Sequence, residues 1–214
     1  MTDNFNLYKE YIAKDFAESS LEENDMYFVV ELMRRGKDNP DLPAANYHFK
    51  NYYIRKPEDL DKFKDEIITL CTTLRLRAYA SVNYKSFKYV TLNALAELAR
   101  RVANNDYKKN YNVYESCSGS YCHSENKRWV IDIDNESSID SIKVKKVEEL
   151  INSCAPLNKD KIILKIPTKS GIHIITSPFD RAQFAINCTD NLENGINDVP
   201  DIKKNHLTLL YENL

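Results

Sequence analysis

Two aspartates, Asp132 and Asp134, close the run KRWVIDID between Lys127 and Asp134. Around them, Trp129, Val130, Ile131 and Ile133 read as a buried strand, because β-branched and aromatic side chains suit a pleated surface. Residues i and i+2 of a strand share a face, so the two carboxylates point one way while Ile131 and Ile133 point the other way, toward a core. Like charges side by side repel, and burying either one unpaired is expensive. A positive partner is therefore expected between them.

A second pattern lies in KSGIHIITS, where Gly171, His173 and Ile175 share a strand face and Ile172 and Ile174 supply the opposite, apolar one. His173 is thereby free to join the aspartates. Lys169 and Ser170, in the turn ahead of it, are candidate contacts for a triphosphate, although both types are ordinary in turns. Further on, NDVPDIKKNHLTLLY offers Asp198 and Asp201 as additional carboxylates. Two or three carboxylates converging on a sheet make a hard, oxygen-rich site suited to Mg²⁺ or Mn²⁺. With a histidine on the phosphates of a bound nucleotide, such a site can run in-line displacement at phosphorus. A DxD alone is less telling, since it also ends strands in solvated turns and serves glycosyltransferases as a metal site.

The elements that must position these residues follow from periodicity. NLYKEYIAKDFAESSLEE predicts a helix, MYFVVELMR and YHFKNYYIR strands with the loop GKDNPDLP between them, and KPEDLDKFKDEIITLCTTLR a helix with Pro57 early and acids in its first turn. LRAYASVNY then predicts a strand and YVTLNALAELARRVAN an amphipathic helix. In the second half, RWVIDID, KIILKIP, GIHIITS and HLTLLYE read as strands. SIDSIKVKKVEELINSC, starting near Ser137 or Ser138, and PFDRAQFAINC read as helices. The order β-α-β-β-α-β is that of a ferredoxin-like or RRM-like unit, a four-stranded sheet backed by two helices. The expected fold class is α/β (α+β): an N-terminal α/β lobe over residues 1–115 packed on an RRM-like lobe over 116–214, together one domain.

Composition narrows the classes. The 214 residues are 43% hydrophobic with a formal net charge of -2, ordinary for a globular protein. No apolar stretch approaches the roughly 18 residues of a membrane helix, and the opening MTDNFNLYKEY lacks a signal-peptide pattern, so a cytoplasmic protein without membrane partners is expected. Four glycines, Gly36, Gly119, Gly171 and Gly195, are too scattered for a Walker loop or a dinucleotide fingerprint. Metals and side chains must hold any bound phosphate. Five cysteines in an odd, dispersed set predict reduced thiols. Cys117, Cys122 and His123 cluster in CSGSYCH, and Zn²⁺ there would need Cys154 or Cys188 as a fourth ligand; the other reading is a plain polar loop. Between Arg75 and Asn110, basic residues interleave with tyrosines, a composition suited to phosphates and stacked bases. Arg77 and Lys85 are the preferred template contacts there, ahead of the helical Arg100 and Arg101. The other reading is a solvated helix face with core tyrosines.

VIDID, KSGIHI and the later Asp in VPDIKK together resemble the three motifs of the archaeo-eukaryotic primase superfamily, whose members are primase and primase-polymerase catalytic domains. The resemblance spans residues 128–211, and the first half matches only in layout. It implies metal binding by Asp132 and Asp134, contact of His173 and the small residue Gly171 with the incoming nucleotide, and Asp201 as third carboxylate with Asp198 its competitor. It implies template-directed joining of nucleoside triphosphates on single-stranded DNA with Mg²⁺ or Mn²⁺, and a helicase or other replication protein as a separate partner. The alternatives are a noncatalytic RRM-like module that binds single strands and a metal-dependent nuclease.

Overall fold

A computed structural model describes residues 1–22, 25–41, 47–120, 127–157, 159–190 and 199–213. The first lobe holds β1 (Thr2–Asp3), α1 (Phe5–Glu18), β2 (Met26–Arg34), β3 (Tyr47–Ile54), α2 (Glu58–Leu74), β4 (Arg77–Ser81), β5 (Lys85–Ser86), α3 (Phe87–Ala103) and α4 (Val113–Ser120). The second holds β6 (Trp129–Asp134), α5 (Ile142–Ser153), β7 (Ile162–Pro167), β8 (Gly171–Thr176), α6 (Arg181–Thr189) and β9 (Asp201–Lys204). The last strand, β10 (Leu207–Glu212), returns to the first lobe.

The α/β class and the β-α-β-β-α-β unit are both present. The second sheet runs β7-β8-β6-β9, all antiparallel, so the unit's own strands lie in the order 4-1-3-2 that its two helical crossovers require. One assignment needs correction: HLTLLYE is not the fourth strand of this unit. That strand is Asp201–Lys204, short and polar, while β10 inserts between β1 and β4 of the larger sheet. The reason is burial, since Thr208 through Glu212 are all buried and such a run belongs inside a sheet covered on both sides. DIKK alternates only one partly covered apolar residue, Ile202, with exposed or half-exposed polar ones, the pattern of an edge.

β2 shows why the first lobe has three layers. Phe28, Val30 and Leu32 pack with Tyr8, Ile12, Leu60 and Ile67 of α1 and α2, whereas Tyr27 and Val29 on the opposite face meet Val90 and Cys117 of α3 and α4. The second lobe's helices close a separate core around Ile131, Ile133, Ile172 and Ile174, the residues expected to face them. The other face of that sheet is not open along its whole length. Val130, Ile166 and Ile175 join the core of the first lobe, which covers one end and leaves the aspartate end free.

Polar ties fix the two lobes against each other. Arg128, next to the start of β6, grips Asp15 of α1 with both terminal nitrogens and lies 4.7 Å from the Tyr11 ring centre; the Asp15 side chain is 2% exposed. Asn83 copies a strand pairing with the backbone of Arg128, accepting from its N–H at 2.7 Å and donating to its carbonyl at 3.0 Å. Buried Asn4 donates to the carbonyls of Pro167 and Leu209, both at 2.9 Å. Removing one member of a buried pair strands the other charge, so Arg128→Ala should lose about 3–5 kcal/mol in urea unfolding. Arg128→Met with Asp15→Leu should lose clearly less, because neither charge is left behind.

Candidate active site

Strand register assembles the site. On β6 and β8, Asp132 stands directly opposite His173 and Asp134 opposite Gly171; on β9, Asp201 stands opposite Asp132. Directly paired residues of antiparallel strands project to the same face. Asp132, His173 and Asp201, far apart in sequence, therefore form one row across three strands, with Asp134 one pleat along. Gly171 is there for proximity: a Cβ at that position would lie 2.1 Å from the carbonyl oxygen of Ile133.

The expected positive partner is Lys203. Its ammonium pairs with Oδ2 of Asp132, while Nε2 of His173 lies 3.3 Å from Oδ1. Both carboxylate oxygens are thus occupied. The hydrogen bond from His173 is the largest influence on Asp132; burial opposes it, but with Lys203 adding to the first effect the carboxyl is held well below the usual range. His173 is oriented in turn by the hydroxyl of buried Thr208, 3.0 Å from Nδ1, so β10 of the first lobe sets the imidazole of the second. Asp134 and Asp201 are exposed. The three aspartates supply the hard oxygens that Mg²⁺ or Mn²⁺ take, yet among the described residues no three donors are grouped to hold a metal ion. The donors fit a divalent cation in their chemistry, and Lys203 holds the Asp132 oxygen that such an ion would take.

Above this row lies a cleft of about 320 Å³ between the lobes. Arg35, Lys37 and Arg77 enter from the first lobe, and Lys169 and Lys203 from the second. Arg77 is fixed, its side chain 7% exposed, 2.6 Å from Asp38 and 3.4 Å from Glu212. Burial alone would raise the Asp38 carboxyl, but Arg77 and Lys169, the latter 3.2 Å away, bring it below its ordinary value. Arg35 donates to the Tyr79 hydroxyl at 3.1 Å. Against these five cations the lining sets two aspartates, Asp132 and Asp134, so the balance of charge in the cleft favours anions.

The sequence-derived candidates divide accordingly. Asp132, Asp134, His173, Lys169, Ser170 and Arg77 all border the cleft, with Lys169 and Ser170 exposed at its lip. Arg77 is buried at its wall, its side chain turned onto Asp38 and Glu212. Lys85, read as a template contact, is 4% exposed and paired opposite Tyr27, so as folded it offers a strand of nucleic acid no surface. Arg100 and Arg101 clasp Glu97 at 2.8 and 2.7 Å. Cys117 packs in the α3/α4 core, whereas Cys154 and Cys188 lie in the core of the second lobe, so neither can complete a zinc set with Cys117. Cys122, His123 and Asp198 lie outside the described residues. Sequence reasoning missed Arg35, Lys37, Tyr79, Thr208 and Lys203. Lys203 alone left a signal, since it sits two residues after Asp201 and would share its face once DIKK is read as a strand.

Comparison of the chain with protein-family models, with curated proteins and with solved structures finds no match.

The depressed Asp132 carboxyl contributes stability that is complete above its unfolded value, about pH 4, and is lost as pH falls below that toward the folded value. Asp132→Asn should flatten this acid limb in a series of urea melts, leaving the slope above neutrality unchanged. Gly171→Ala should force β8 off β6 beside Asp134 and lower stability by about 1–3 kcal/mol or more, read as a fall in melting temperature.

Proposed function

We propose that this chain is a nucleotidyltransferase of the primase or primase-polymerase type, joining nucleoside triphosphates on a single-stranded template with release of pyrophosphate. The observation that carries the reading is the Asp132–His173 pair at the floor of a cleft carrying five cations, with Asp201 next to Asp132 on β9. It combines carboxylates, an oriented imidazole and several phosphate-binding cations on one RRM-like sheet, the arrangement to which the three sequence motifs pointed.

In this reading a nucleoside triphosphate lies with its phosphates toward His173, Lys169 and Arg35. The hydroxyl oxygen at the growing end attacks the α-phosphorus, the bond from that phosphorus to the α,β-bridging oxygen breaks, and pyrophosphate leaves with that electron pair. The hydroxyl proton passes to solvent. Catalysis is then mostly positioning and charge neutralisation. Thr208 fixes the ring through Nδ1, directing Nε2 toward Oδ1 of Asp132 at the cleft floor. Asp132, Asp134 and Asp201 are the oxygens that would hold a divalent cation, which when bound would neutralise charge on the departing pyrophosphate. For the template, the solvent-facing side chains at the end of the basic tract are Tyr107, Lys108 and Lys109, followed by Tyr111, with Tyr107 and Tyr111 63% and 84% exposed.

A noncatalytic RRM-like module is disfavoured by the same packing. Its base-stacking face would be the one that here carries Val130, Ile166 and Ile175 into the first lobe. The test is extension of a primed and an unprimed single-stranded template with labelled nucleotides in Mg²⁺ or Mn²⁺. Asp132→Ala and His173→Ala should each reduce synthesis by about 100-fold or more while remaining folded. Degradation of the template without triphosphates would identify a nuclease instead, and single-strand binding with no metal-dependent synthesis would overturn the proposal.

A further inference from the structure

Of the five cations around the cleft, Lys203 alone sits on the carboxylate row. Its backbone is opposite Val130, one step down β9 from the Asp201–Asp132 pair, and its four-carbon stem carries the ammonium across to Oδ2 of Asp132. Arg77 is locked by two buried acids, whereas the Lys203 side chain is 31% exposed and Asp132 is its one ion-pair partner among the described residues. The ammonium therefore has both the reach and the solvent access to exchange partners by rotating about its stem. Asp132 cannot make that exchange, because its strand is fixed on both sides.

We infer that Lys203 is a tethered cation that holds Asp132 until it transfers to the phosphates of an incoming polyphosphate, so that a divalent cation and a nucleoside triphosphate load together. This rests on the nucleotide-handling reading of the same site. The driving force is a difference in partners. One carboxylate offers the ammonium a single negative charge, shared with His173, while a triphosphate offers several, drawn in by Arg35, Lys37 and Lys169. Once the lysine departs, Asp132 keeps only the His173 contact on a sheet face shared with Asp134 and Asp201, and those like charges favour a divalent cation. Coupling of this kind is reciprocal, each ligand raising the affinity for the other.

Two binding measurements on the intact chain test it, with no synthesis required: Mn²⁺ affinity without nucleotide, from the loss of the free-ion paramagnetic resonance signal, and metal-free affinity for inorganic tripolyphosphate by calorimetry. Lys203→Met should tighten Mn²⁺ by about tenfold and weaken tripolyphosphate by a similar factor. Lys37→Met removes a charge from the same cleft without touching Asp132, so it should weaken tripolyphosphate yet leave Mn²⁺ within about twofold, distance and salt screening the rest. Lys203→Arg keeps the pair and should bind Mn²⁺ as the unaltered chain does, which guards against a Met variant that fails to fold. Unchanged or undetectable Mn²⁺ binding in Lys203→Met, or equal tightening in Lys37→Met, would overturn the inference. The opposed shifts in a chain that synthesises nothing would retain the lysine exchange and remove the polymerase reading. Synthesis without the opposed shifts would do the reverse.

Discussion

A half-buried carboxylate at the middle of a sheet has to be compensated, and the compensation of Asp132 organises the site. His173 comes to it through strand register, Lys203 through a neighbouring strand, and the hydroxyl that orients the histidine through a strand of the other lobe. Each partner lies on a different segment, and three of the four strands involved belong to the RRM-like sheet. The Asp132 charge is therefore held by the tertiary fold, not by its neighbours in sequence. A shift of β6 against β8 by one residue would put His173 on the opposite face and leave the carboxylate beside an isoleucine.

That register is protected by how the sheet's two faces are used. One face closes on α5 and α6 through isoleucines. The other is divided, apolar at one end where it enters the first lobe's core, and polar at the other where it forms the floor of the cleft. The apolar end anchors the polar end. Arg128, Asn83 and Asn4 add directional bonds at the same junction, so the cleft walls from both lobes are held at fixed separation. β10 has a double role: it completes the larger sheet and delivers Thr208 to the histidine, linking stability of the first lobe to geometry of the second.

The cleft's electrostatics follow a division of labour among its cations. Arg77 is neutralised from behind by Asp38 and Glu212 and acts as a rigid wall, while Arg35 is steadied by Tyr79. Lys37, Lys169 and Lys203 are more exposed and supply adaptable charge. The exposed Lys37 and Lys169 therefore stand outermost, with the fixed Arg77 behind them. In this conformation a side-chain cation, Lys203, already neutralises Asp132.

Much of this was readable from residues alone. β2, β3, β6 and β8 and helices α2 and α3 followed from runs whose alternation or helical spacing is local, and the face-sharing of Asp132, Asp134 and His173 followed from strand geometry. The residues that escaped did so for physical reasons. DIKK is too short and polar to announce an edge strand, and HLTLLYE is apolar enough to suit either sheet; nothing within seven residues says which sheet has a vacancy. Lys85 looked available because charge usually means exposure, and its burial comes from neighbours on other elements. Side-chain periodicity is a property of the covalent chain, and so the sequence by itself determined the elements, their inner faces and the candidate carboxylates and imidazole. Which cation neutralises Asp132, which hydroxyl orients His173 and which lysines line the cleft were decided only by tertiary structure, because charge pairing and burial depend on segments that meet through space.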